Sequence, residues 1–157
     1  MENLPVDYFV KTGQFTKTTN RDVYPSIEPT AASNSQAGKV IVITGASKGI
    51  GRLHVELLAL EAGYLQLQTY VALENPNVIA IALHPGIVIT GMTTGAFEPF
   101  AKCTPELVEG LGVWLSTGKA AFLNGRYVSS NWSVDDLVAR KEKWFLGEAL
   151  ACFERRV

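Results

Sequence analysis

A chain of 157 residues, 47% hydrophobic and 18% charged, suits one globular domain and leaves little room for a second. Its net charge of -1 and isoelectric point near 6.1 exclude the electrostatic footprint of a nucleic-acid or anionic-membrane binder. Cys103 and Cys152 stand in no CxxC or zinc-like spacing and read as reduced thiols; with no apolar signal-type run and no membrane-length stretch, a soluble cytoplasmic protein is expected.

Residues 1–38 differ in composition from the remainder of the chain. Lys11 to Arg21 is rich in Thr, Lys, Gly and Asn, and Ser26 to Gly38 in small polar residues with Pro29. Few positions there could join a core, so the composition predicts a polar, poorly ordered N-terminal arm ahead of a body at 39–157.

Lys39-Val-Ile-Val-Ile-Thr44 is a β-branched apolar run, the pattern of a strand covered on both faces. It runs into a glycine-rich turn, Gly45 to Gly51. Leu53, Leu57, Leu60, Tyr64, Leu67 and Val71 alternate at spacings of four and three, which places them on one stripe of a helix. Pro76 disfavours helical backbone at the residue before it, so the helix ends at Asn75-Pro76-Asn77.

Val78 to Leu83 reads as a second buried strand, closed by His84-Pro85-Gly86. Ile87 to Thr104 is expected as loop or broken helices. Pro105 to Leu115 reads as a helix, with Thr104 as N-cap and Pro105 at the first position. Asn124-Gly125 signals a turn and Arg126 to Ser130 a third strand. Ser133 is placed to cap a closing helix that reaches about Cys152. Strands alternating with helices predict an α/β fold, an incomplete Rossmann-like parallel sheet of about three strands with flanking helices.

The chemistry is concentrated at two segments. Thr44-Gly45-Ala46-Ser47-Lys48-Gly49-Ile50-Gly51 comes directly after an apolar strand and opens a helix. Glycines there permit a tight turn and let the backbone approach a pyrophosphate, whose charge the helix N-terminus favours. The second segment is His84-Pro85-Gly86-Ile87-Val88-Ile89-Thr90.

The first segment resembles the cofactor loop of the short-chain dehydrogenase/reductase family, and the second resembles the family's Pro-Gly-x-x-x-Thr segment after the sixth strand. Leu123 to Val128 is similar to the family's last strand, and the flavour is that of fungal members, many of which serve secondary metabolism. The resemblance implies an NAD(P)-dependent oxidoreductase acting on a carbonyl or secondary alcohol. It implies cofactor contacts at Gly45, Ser47, Lys48, Gly49, Ile50, Gly51, Pro85, Gly86, Ile87 and Thr90. Lys48 would meet a 2′-phosphate, which favours NADP, with NAD as the alternative.

The family's strands two to five, its Asn-Asn-Ala-Gly, its catalytic Ser and its Tyr-x-x-x-Lys should lie between these segments. Here only residues 52–84 separate Gly51 from Pro85, most of them one helix. Counted back from Asn75, the Tyr and Lys positions fall near Leu57 and Glu61. Tyr64, the tyrosine nearest to them, has Gln68 four residues later. The family's proton shuttle needs a Tyr hydroxyl made acidic by a Lys ammonium, and Glu61 has the opposite electrostatic effect.

Other candidates read blandly. His54 and His84 have no metal-ligand spacing, Asp135 and Asp136 complement a helix dipole, and Trp114, Trp132 and Trp144 are packing residues. By resemblance, Met92, Phe97 and Phe100 would line a substrate pocket. In the complete fold, strands one and six would lie roughly 14 Å apart once the intervening strands were removed. Direct pairing of 39–44 with 78–83, strands from another chain and an unstable product all remain open, and the first predicts weakened cofactor binding. Three functional readings are compatible with the sequence. They are an oxidoreductase by descent, a catalytically inactive remnant that binds nucleotide weakly or pairs with an intact relative or itself, and an incomplete reading of a longer gene. No catalytic residue and no metal ligand is assigned.

Overall fold

The computed structural model describes residues 4–38, 70–90, 93 and 95–144. Its architecture is α/β, with helices packed around a small parallel sheet. Strand β1 (Ile81–His84) pairs with β2 (Arg126–Ser129) in parallel, Ile81 opposite Arg126 and His84 opposite Ser129. The connection between them contains the helix α2 (Pro105–Leu115), as parallel strands require a crossover. The strand expected at 39–44, the glycine turn and most of the expected 53–71 helix lie outside the described residues. Residues 70–74 are helical and stop before Asn75, whose backbone and side-chain amides both donate to the Val71 carbonyl.

Helix α2 has the bounds its sequence predicts. Leu107, Gly110, Leu111 and Trp114 are its buried face, the i, i+3, i+4, i+7 stripe of an amphipathic helix. The Thr104 hydroxyl accepts from the Leu107 amide at 3.3 Å and donates to the Asp22 carboxylate at 2.7 Å. That bond holds the Asp22 carboxyl below its ordinary value. Leu107, Leu111 and Trp114 join Leu123, Val128, Val134, Leu137 and Ile27 in one core.

The second expected strand begins later than its apolar run suggests. The Val78 amide closes a turn on the Asn75 carbonyl, and the Ala80 amide donates to the Asn124 side chain at 2.8 Å. The Gly125 amide returns a 2.7 Å bond to the Ala80 carbonyl, and Gly125 has a φ of 72°. The Asn124-Gly125 turn therefore sets the register of the sheet from its amino end. The closing helix is shorter than expected. Ser133 caps α3 (Val134–Ala139) by accepting from the Asp136 amide, but Arg140 leaves helical geometry before α4 (Lys141–Trp144). The Arg140 guanidinium donates to the Phe15 carbonyl and lies over the Phe15 ring, 5.6 Å from its centroid. Residues beyond Trp144 are outside the described set.

The largest departure concerns residues 4–38, expected as a poorly ordered arm. They contain the helix α1 (Tyr8–Thr12) and two short 3-10 turns, and Ile27 is fully buried against α2. Gly110 is where α2 lets the arm approach: a Cβ there would meet the Ile27 carbonyl at 2.5 Å. Most of the attachment is polar. Thr19 bridges Trp132 in antiparallel fashion, and Asn20 and Asn131 exchange bonds. The Gln36 side chain donates to Val113, and the Thr104 amide donates to Arg21. Composition underestimates such a segment because it counts apolar residues and not the hydrogen bonds that compensate burial of polar ones.

Candidate functional site

In parallel α/β sheets, ligands gather beyond the carboxyl ends of the strands. Beyond β1 the chain enters the segment Pro85–Thr90. Of the ten predicted contact residues, the four in this segment are described: Pro85, Gly86, Ile87 and Thr90. Gly45, Ser47, Lys48, Gly49, Ile50 and Gly51 lie outside the described residues.

Gly86 is the tightest point. Its φ is 74°, and a Cβ built on it would lie 2.9 Å from the Cys103 sulfur, 3.0 Å from the Ser130 hydroxyl and 3.2 Å from Asn131 Oδ1. Only glycine tolerates both the backbone and the crowding. Asn131 ties this cluster together. Its Nδ2 donates to the Asn20 carbonyl at 2.8 Å and approaches the Cys103 sulfur at 3.1 Å. The Ser130 amide donates to the His84 carbonyl at 2.8 Å, which joins the end of β2 to the end of β1. The Ser130 hydroxyl is buried without a hydrogen-bond partner.

His84 contributes through its own ring. Its Nδ1 accepts from the Gly86 amide at 3.1 Å, so that nitrogen carries no proton while the turn is intact. Downstream, the Cys103 amide donates to the Ile87 carbonyl, and Val88 pairs with Cys103 in a parallel bridge. The segment opens to solvent at Ile89 and Thr90. The Thr90 amide donates to the Thr93 hydroxyl at 2.9 Å, the two hydroxyls are 3.3 Å apart, and the Thr93 hydroxyl donates to Val88. The result is a rigid, uncharged turn with a hydroxyl at its exposed end. It can bind through backbone and hydroxyl groups, and it holds no acid–base pair.

Sequence reasoning missed Asn131, Ser130 and Cys103 as the supports of this turn. The polar run Ser129-Ser130-Asn131 after an apolar strand was the available signal. Phe100, expected to line a pocket, is buried and packs edge-on against Phe9 with centroids 5.0 Å apart; Phe97 is half-buried, and Met92 is outside the described residues. Trp114 is buried. Trp132 is also buried, donates to the Gly13 carbonyl at 2.9 Å and packs against Phe15 and Tyr127. Asp135 and Asp136 occupy the first turn of α3, and they also accept from Ser26 and the Thr18 amide, so they anchor the arm. An open groove of about 640 Å³ lies between the arm, α2 and α3, lined by Trp114, Phe122, Val134 and Val138 among others; no residue of Pro85–Thr90 lines it. Among the described residues, no group of three or more His, Cys, Asp or Glu is placed to hold a metal ion. No helix among them is long and apolar enough to cross a membrane.

An α/β sheet with a Pro-Gly turn beyond its first described strand defines a Rossmann-like class of protein. Comparison with known proteins is more specific. The chain is 41% identical over 85 residues to a short chain dehydrogenase of Monascus purpureus, a match covering 52% of this chain and 29% of that protein. It is 30% identical over 116 residues to a short chain dehydrogenase/reductase of Claviceps purpurea, covering 68% of this chain and 40% of the relative. A short chain dehydrogenase of Emericella variicolor is 33% identical over 91 residues, covering 55% and 31%. The chain is thus a relative of the fungal short-chain dehydrogenases, and its matches span only 29% to 40% of the length of these relatives. No family model and no solved structure matches it.

Proposed function

We propose that this chain is a shortened short-chain dehydrogenase that keeps nicotinamide-dinucleotide contacts and does not itself carry out the family's oxidoreduction of a carbonyl or secondary alcohol. The observation that carries the reading is the turn at Pro85–Thr90. Gly86 is locked there by Cys103, Ser130 and Asn131, and exposed Thr90 stands beyond the carboxyl end of a parallel strand. These uncharged groups fit the nicotinamide side of such a cofactor. Pro85, Gly86, Ile87 and Thr90 would hold that side. Gly45, Ser47, Gly49, Ile50 and Gly51 would hold the pyrophosphate, with Lys48 favouring NADP over NAD. When bound, the cofactor would supply hydride chemistry.

The proton-transfer part is missing from the sequence: no Tyr-x-x-x-Lys occurs between Gly51 and Pro85. Affinity is expected to be weak, because binding through few contacts must still offset the lost freedom of a large ligand. The reading places the protein in the cytoplasm, within secondary metabolism.

The test is thermal unfolding of the whole chain with millimolar NADP⁺ or NAD⁺, together with an assay of NADPH oxidation against a panel of ketones. A rise in Tm with nucleotide and no turnover are expected. An unchanged Tm removes cofactor binding, and steady NADPH oxidation removes the inactive reading. Sequencing the transcript decides whether the Ser-Tyr-Lys segment is encoded; a transcript containing it replaces the proposal with that of a complete enzyme.

A further inference from the structure

The sheet has an open side at β1. The carbonyls of Ala80 and His84 face β2, where they accept from Gly125 and Ser130. Backbone groups alternate along a strand, so those of Ile81 and Leu83 point to the opposite edge. Among the described residues no strand pairs with that edge. Val78 and Ile79, which lead into it, are 44% and 49% exposed.

Edge strands of monomeric proteins are ordinarily blunted by charge, proline or a bulge. This edge has none of these. From Asn75 to Thr90 the sequence contains no Asp, Glu, Lys or Arg, and Pro76 and Pro85 lie outside the span 77–84. Nothing in that span repels an identical copy of itself.

We propose that the free edge of β1 pairs with the same edge of a second copy of this chain, antiparallel across a two-fold axis at Ala82. About that axis Ile81 of one protomer stands opposite Leu83 of the other, and Leu83 opposite Ile81. Both residues carry outward-facing amides and carbonyls, so the two pairs are of the hydrogen-bonded kind that exchanges two bonds each. The small Ala82 side chains at the axis let the strands approach, and Ile81 meets Leu83 in an apolar cross-strand pair. An isologous contact of this kind closes at two copies. The inference does not depend on nucleotide binding.

Sedimentation velocity of the whole chain over a concentration series is the first test, with a monomer–dimer equilibrium in the micromolar range, about 1–100 µM, expected. Hydrogen exchange is the second: the Ile81 and Leu83 amides slow as protein concentration rises. Ile79→Lys places like charges on the shared edge and raises the dimer Kd roughly tenfold or more, with Tm unchanged. Val78→Lys serves if that variant fails to fold. A protein that stays monomeric throughout, amide protection independent of concentration, or a dimer indifferent to both lysines each overturns the proposal. Concentration-independent protection assigns the edge instead to another segment of the same chain.

Discussion

Gly86 combines two constraints, a backbone in the left-handed region and three neighbours packed where a side chain would begin. Gly86→Ala is therefore expected to destabilise the fold by roughly 1–3 kcal/mol, measured by urea denaturation. A variant as stable as the parent would show that Cys103, Ser130 and Asn131 do not clamp the turn. The sequence marks Pro85-Gly86 as a turn and, through the family resemblance, as a cofactor segment. It does not disclose why the glycine is obligatory, because the atoms that crowd it come from 103, 130 and 131. The same holds for His84. Nothing in its neighbours along the chain shows that its ring accepts from the Gly86 amide.

Elements with local signals were legible at close to residue resolution. Helix α2 was, because a capping Thr, a Pro at the first position and an apolar stripe act within a few residues of one another. Thr104→Ala should cost about 1 kcal/mol by leaving the Leu107 amide uncapped. Because the same hydroxyl holds Asp22, the Asp22 carboxyl should also return toward its ordinary value, an effect readable by NMR titration. A loss of stability with Asp22 unmoved would mean that the hydroxyl serves the helix alone. The start of β1 was misjudged by its apolar run, since a partner 44 residues away in sequence, the Asn124 side chain, takes the Ala80 amide. Likewise Ser133 announced a helix, but its end at Arg140 is set by a guanidinium that reaches Phe15.

The molecule as a whole is held together by the segment that composition would have discarded. Tyr24 shows the linkage: its hydroxyl accepts from the Val134 amide at 2.8 Å, and burial pushes it up to about 12 from an ordinary 10.0. A raised folded value means that the unfolded chain loses this proton first. The contribution of Tyr24 is therefore complete below pH 10 and is lost as pH rises toward 12. Tm should fall over that window, and more steeply than in Tyr24→Phe; parallel curves for the two proteins would show that the ring is not protected by the fold.

By itself the sequence determined the α/β class, the helix at 105–115, the two turns at 85–86 and 124–125, and the kinship with short-chain dehydrogenases. Those depend on local backbone preferences and on motifs contiguous in the chain. Tertiary structure alone decided that residues 4–38 belong to the core, that Asn131 and Ser130 support the candidate site, and that one edge of β1 is open. Each of these rests on hydrogen bonds or packing between residues far apart in the chain, and composition and periodicity carry no record of such partners.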